Sequence, residues 1–466
     1  MSNVTEAVLI EADKSAWPLL KSERTWGGWK LGISLATAAA ATWCYIIGEY
    51  VGYYLGFKQG FAALFAGSMI GMLIVALAAV PVAMRFGVDS IASSKPQFGS
   101  RGWIIPAAMQ FVSIVGWNSL LLIFFAKSTT QFLRAVGVLG EGSGGFLVSA
   151  TVLLASALVF VFLLKGSAGV DRVSKILVAH VFVGMWMLYI LVSQRWGDLS
   201  TAVPAYAATD PLWNYTTGVE IGIVSLLSWW PYIGAMVRMA PNGRTAALPI
   251  MAGMGAPVPI LSAIGIAGIL VLQVSDPSEW MRTVGGPVYG AIALLFVAAA
   301  NLGTAVAGVY SSSIGLRHFP ALQNLNWPTL LLISIVPVGI VGLLIPDLFF
   351  ANFGTFLAFI GLGFAPLCGI QIADYYLLRG RRIDVRGLFD GGTGGTYVYW
   401  GGFNPASIIG MVTGVGTYLY LLNPITYVSR TPYEFVTASL PSAVVAGIAF
   451  ALVTLVVVKP AGKGGY

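Results

Sequence analysis

A chain of 466 residues that is 57% hydrophobic and only 9% charged, with a mean hydropathy of +0.84, is too apolar for soluble domains, where about a quarter of residues carry charge. This excludes a soluble enzyme or a disordered chain and places the protein in a bilayer, where its 57 glycines suit closely packed helices. The net charge of +7 invites a nucleic-acid reading, but the positions of the cations argue for membrane topology instead.

From the N-terminus, residues 1–28 are polar, carry both signs of charge and lack the apolar core and small-residue cleavage site of a signal peptide; they are expected to form a cytoplasmic tail. Apolar runs long enough to cross a bilayer follow at 30–53, 60–83, 103–126, 146–164, 176–194, 218–238, 246–273, 285–314, 327–346, 352–378, 403–423 and 438–458. The expectation is an all-α polytopic membrane protein with about twelve transmembrane helices. Residues 29–194 would hold a first set of five, 218–378 a second, 379–402 a cytoplasmic loop, 403–458 two further helices and 459–466 a cytoplasmic tail.

Alternating the loops from an internal N-terminus puts nineteen of the 25 Lys and Arg residues inside; only Lys58, Lys127, Arg134, Arg195, Arg282 and Arg430 fall outside. Both termini are therefore expected in the cytoplasm of a cell carrying this multi-pass protein in its inner or plasma membrane. The longest stretches outside the runs are the tail, 195–216 and 379–402, which leave no room for a catalytic domain. No catalytic residue, cofactor, nucleic acid or obligate protein partner is expected. Cys44 and Cys368 lie in apolar runs and read as packing residues, as does His180.

Transporters bind substrate where two helices unwind in mid-membrane. The first run holds Leu35-Ala-Thr-Ala-Ala-Ala-Ala-Thr-Trp43, and the sixth holds Ser228-Trp-Trp-Pro-Tyr-Ile-Gly234, where Pro231 and Gly234 weaken the helix. These runs correspond if five helices repeat, inverted, as the next five. Trp117 and Asn118 in the third run, Trp229 and Trp230 beside the sixth-run break, and Asn301 in the eighth lie at membrane depth, where polar and amphipathic groups need a reason. The tryptophans either stack on a flat substrate or pack the core. Glu49 ends the first run and Glu220 begins the sixth; the plainer reading is two helix-end residues at the water interface, the sharper one a coupled proton.

The same segments resemble nucleobase:cation symporter family 1, the purine–cytosine, uracil, allantoin and hydantoin permeases. The most specific match is Pro366-Leu-Cys-Gly-Ile-Gln-Ile-Ala-Asp-Tyr-Tyr-Leu-Leu-Arg379, followed by Tyr397-Val-Tyr-Trp-Gly-Gly-Phe-Asn-Pro-Ala406. Gly116-Trp117-Asn118, Ser94-Lys-Pro-Gln-Phe-Gly99 and Trp229-Trp-Pro-Tyr232 with Arg238 and Pro241 add to it. The resemblance implies a LeuT-type fold of five-plus-five inverted repeats, with two C-terminal helices added, working by alternating access. It implies that Trp117 and Trp229 sandwich a flat heterocycle near Asn301, and that Ala38, Ala41 and Thr42, with Thr304, lie where a cation would couple. Departures are Ala235 in place of the family's aspartate, Ala299 and Ala300 where hydroxyls hold sodium in the hydantoin carrier, and Ala305 in place of a second asparagine. The reading is import of a nucleobase or related heterocycle, coupled to a proton or to sodium, with no other metal. The alternative is a LeuT-type carrier for an amino acid or a quaternary amine.

Overall fold

The computed structural model describes residues 17–140, 145–164, 166, 184–193, 195–243, 246–390 and 394–466. His180, Arg172, Lys175 and residues 176–183 of the fifth run lie outside the described residues. Among the described residues the regular structure is helical, with β-bridges only at Trp400–Phe403 and Leu422–Ser429.

Among the described residues, eight helices are long and apolar enough to span a bilayer: α3 (Phe57–Phe86), α5 (Ile104–Ala135), α6 (Gly145–Leu163), α10 (Ala247–Leu272), α11 (Pro277–Leu316), α12 (Trp327–Leu344), α13 (Phe353–Leu378) and α15 (Ser439–Val458). Two bent pairs bring the number to ten: α1 (Gly28–Ala39) with α2 (Trp43–Gly52), bent by 60°, and α8 (Pro211–Leu227) with α9 (Trp230–Val237), bent by 44°. The apolar helices α7 (Gly184–Ser193) and α14 (Pro405–Leu421) are shorter, and α4 (Ser90–Phe98) is a short, largely buried polar helix between α3 and α5.

The same local chemistry starts several of these helices. Asp210, Asp276 and Asn404 each precede a proline, and each side chain accepts a bond from a backbone N–H in the first turn. The proline needs no donor there and has its φ set for the helix. Asp210 thus starts α8 at Pro211, seven residues before the expected start of the sixth run, so Glu220 lies well inside α8 and not in its first turn. Close packing rests on glycine: a Cβ on Gly67 of α3 would lie 2.1 Å from the Val219 carbonyl of α8, so the two backbones could not approach as they do.

Both described termini gather at one end of the bundle. The Leu19 N–H donates to Gly87 O (2.9 Å), and the Tyr466 hydroxyl donates to Asp374 Oδ1 (2.8 Å). There Arg379 holds Asp374 through Nε (2.8 Å) and donates to Gly464 O and Pro96 O, with its guanidinium 4.0 Å from the Tyr466 ring. The Asp374–Arg379 segment, the most specific part of the motif read from sequence, is thus a buried clamp joining α13, α4 and the C-terminal segment.

Candidate functional site

Between α1 and α2 the backbone leaves the helix at Ala40, with φ −82° and ψ 53°. Four consecutive alanines supply no side chain to hold a turn, so the freed groups find partners further off. Asn301 Oδ1 of α11 accepts from the Thr42 hydroxyl (2.6 Å) and the Thr42 N–H (3.3 Å). The Trp43 indole N–H folds back onto Ala38 O (3.2 Å), and the Cys44 thiol onto Ala39 O (2.8 Å). Ala41 O accepts from the Cys44 N–H (3.1 Å). In the second pair, Trp229 sits at the joint, with Pro231 in the first turn of α9.

The two breaks meet through tryptophan. The ring of Trp43 lies 5.4 Å from Trp117, at 75°, and 5.6 Å from Trp229, at 41°, both within favourable aromatic geometry. Phe353 and Phe356 of α13 close on Trp117, and Tyr232 on Trp229. All three tryptophans are buried. Around them lie buried polar atoms with no hydrogen-bond partner among the described residues: Trp117 Nε1, both side-chain polar atoms of Asn118 and Asn301 Nδ2. Each such atom left unpaired costs about 1–3 kcal/mol. Asn118 fits beside α11 because position 308 is glycine; a Cβ there would lie 2.3 Å from its Oδ1.

The structure therefore groups Thr42 with Asn301, and Trp117 with Trp229 through Trp43, a residue not singled out in sequence; Asn118 lies beside Gly308, seven residues along α11 from Asn301. The available signal was an aromatic residue immediately after the small-residue run. Trp230 points elsewhere: its indole donates to Gln371 Oε1 (2.6 Å), and its carbonyl accepts from Ser90 Oγ (2.7 Å). Thr304 spends its hydroxyl on Ala300 O (3.2 Å). Glu49 is buried near the end opposite the termini, where its Oε1 accepts from the Tyr53 hydroxyl (2.7 Å). The nearby Asp276 is paired with Lys127 at 3.0 Å. Glu220 accepts from the N–H groups of Ala438 and Ser439 and from the Ser439 hydroxyl (2.6 Å), which makes it a cap for α15.

A helical membrane bundle in which two broken helices meet at a buried aromatic slot defines a transporter, not an enzyme. The sequence model of the family described as permease for cytosine/purines, uracil, thiamine, allantoin matches residues 18–441, and the chain belongs to that family. The hydantoin permease of Microbacterium maritypicum is 24% identical over 343 residues, 69% of this chain and 67% of the relative. The cytosine permease of Escherichia coli K12 is 24% identical over 308 residues, 64% of this chain and 66% of the relative, so these matches span about two thirds of each permease. Among solved structures, inward-facing Mhp1 superposes with a TM-score of 0.79 at 19% identity, covering 95% of this chain and 94% of that one. Mhp1, a nucleobase-cation-symport-1 family transporter, closed with bromovinylhydantoin bound, gives 0.75 at 20% identity, with 95% of each chain covered. A Na+-coupled sialic acid symporter shares the fold more distantly, at 0.61 and 12% identity, covering 97% and 96%.

Proposed function

We propose that this protein imports a flat nitrogen heterocycle of the cytosine, purine, uracil, allantoin or hydantoin type by proton-coupled alternating access. The observation that carries the reading is the slot itself: three tryptophan rings from three helices, with unpaired amide and indole groups at its edge. Asn301 uses its oxygen to hold Thr42 and keeps its NH₂ to donate to a substrate carbonyl; Asn118 offers one donor and one acceptor. A heterocycle carrying C=O and N–H groups on its rim would satisfy these atoms while its faces stack on indole. An aromatic box also suits a quaternary amine. That guest has no hydrogen-bonding group on its methyls and would leave both asparagines unpaired, so the heterocycle is the better fit.

Twelve spans, arranged as five-plus-five inverted repeats with two added helices and with both termini cytoplasmic, complete the proposal. The excess of Lys and Arg in the loops on the termini side supports that orientation. The residues at the helix breaks do not fit a sodium ion. Positions 299 and 300 carry methyl groups, so Ala38 O, Ala41 O and the Thr304 oxygen, each already in one hydrogen bond, are too few to replace an ion's hydration shell. A proton needs no such cage. Glu49 lies in the second half of a broken helix and is bonded to Tyr53, which makes it the better proton carrier than the capped Glu220.

Uptake of labelled cytosine, adenine, uracil, allantoin and hydantoin into expressing cells tests this, with and without sodium and with and without a protonophore. Saturable uptake of one heterocycle that survives sodium removal and collapses with the protonophore is expected. Uptake of none of them, or strict dependence on sodium, would overturn the corresponding half of the proposal.

A further inference from the structure

At the termini end, a cavity of about 740 Å³ opens between α4, the start of α5, the turn after α11 and the segment near residue 389. None of its lining comes from α1, α2, α8 or α9, so it is separate from the transport slot. Trp103 and Phe389 form apolar walls; the charged lining is mainly cationic, with Lys95, Arg101 and Arg317 beside Asp390.

Lys95 is the informative group. Its side chain is half-buried, and its ammonium lies 5.6 Å from the Trp103 ring and 5.1 Å from the Phe389 ring. Among the described residues, none of its three N–H donors has a hydrogen-bond partner. Asp89 is near enough to feel its charge but is held by His318 Nε2 at 2.8 Å. Burial lowers the affinity of Lys95 for its proton. A cation held in this way, with unused donors facing a cavity that also contains Arg101, is waiting for an anion.

We infer that this cavity binds the phosphate of an anionic lipid headgroup, held by Lys95 and Arg101. The donors match phosphate oxygens: a compact ammonium for one and a planar fork for two. The mouth favours a lipid over a free phosphate compound. Ile104 lines it, and Ile104 and Val112 lie on one face of α5, exposed by 46% and 62%, giving acyl chains an apolar track from the cavity along the helix. Basic pockets between helices on the cytoplasmic side are suited to such headgroups. An occupant would brace α4, whose Ser90 hydroxyl donates to Trp230 O of the broken helix and whose cap, Asp89, is tied to His318. The bound lipid would thus steady the support on which α9 rests, and transport would depend on it.

The test is thermal melting of the purified full chain with added phosphatidylglycerol, phosphatidylcholine or inorganic pyrophosphate. Phosphatidylglycerol should raise the melting temperature and phosphatidylcholine should not. Lys95→Gln and Arg101→Gln should each weaken the midpoint of the phosphatidylglycerol titration about five-fold, as expected for one cation near an anionic surface. Lys95→Arg should retain it, which separates lost charge from lost folding, and Arg386→Gln, outside the cavity, should behave as wild type. Stabilisation by pyrophosphate alone would keep a phosphate site but overturn its assignment to a lipid. No shift with either ligand, or an equal shift in the Gln variants, would overturn the site. Transport in vesicles with and without phosphatidylglycerol then reads the bracing: a rate that ignores the lipid while the melting shift persists would overturn it.

Discussion

The clamp at the termini end and the slot at the helix breaks are both buried, polar and aromatic, yet the ion pair at the centre of the clamp is fully hydrogen-bonded while the slot is not, the Gln97 oxygen being the clamp's one unpaired atom among the described residues. Asp374 accepts from Gln97, Arg379 and Tyr466, and Arg379 in turn reaches Gly464, Pro96 and Tyr399. In the slot, Trp117, Asn118 and Asn301 bury groups that meet nothing. Unpaired buried polarity is unfavourable and persists where a guest completes it; saturated polarity fixes a structure. On the proposed function, the clamp serves stability and the slot recognition.

The sharpest way to break this comparison is to damage each region and see which property fails. Arg379→Ala strands a buried carboxylate and should cost about 3–5 kcal/mol, the usual penalty for halving a buried ion pair. It is expected to lower the melting temperature steeply while the surviving folded fraction keeps its substrate KM. A changed KM without loss of stability would move the clamp into the recognition machinery. Trp117→Ala and Trp229→Ala should do the reverse. Each removes a stacking face worth about 3 kcal/mol in burial and ring contact together, so uptake should fall on the order of 100-fold with surface expression intact. Normal uptake in both variants would sink the stacking model.

A third contact at the termini end responds to pH. Burial would raise the Asp89 carboxyl, but the charge and hydrogen bond of His318, with Arg238 further off, outweigh it and hold the group at about 2. An unfolded aspartate titrates near 4, so the stabilisation is fully present above that value and is lost as pH falls toward 2. Melting between pH 5 and pH 3 should reveal a loss of about 1 kcal/mol that is absent in Asp89→Asn. An identical slope in the variant would place the acid sensitivity elsewhere.

These two regions also mark what was legible in the sequence. The spans were readable because their chemistry is local, in long apolar runs; Asn404 announces one helix start a residue before a proline, whereas α11 begins at Pro277 after Asp276, eight residues before the expected 285. The start of α8 was misplaced because Asn214, Thr216 and Thr217 depress the hydropathy of its first turns, although Asp210-Pro211 carried the same start signal. Glu220 was consequently read as a helix-end residue, whereas its partners lie more than 200 positions away at the start of α15. Trp117, Trp229 and Asn301 were singled out by residue type and membrane depth. Their convergence on Trp43 depends on a 60° bend and on contacts far along the chain, and no local pattern encodes these.

The smallest predicted effect falls on Trp43, where the comparison can be made finest. Its ring touches Trp117 and Trp229, and its indole N–H occupies Ala38 O, so it belongs at once to the recognition surface and to the repair of the broken backbone. Trp43→Phe keeps an aromatic ring but shortens it and removes one hydrogen bond, a loss of about 1 kcal/mol. If the ring's size limits the guest, the variant should favour bicyclic purines over monocyclic pyrimidines by about five-fold in competition for uptake, with little change in melting temperature. A uniform loss across both classes would assign Trp43 to holding the break. An unchanged ratio with unchanged affinity would remove it from the recognition surface and leave Trp117, Trp229 and the two asparagines as the determinants of fit.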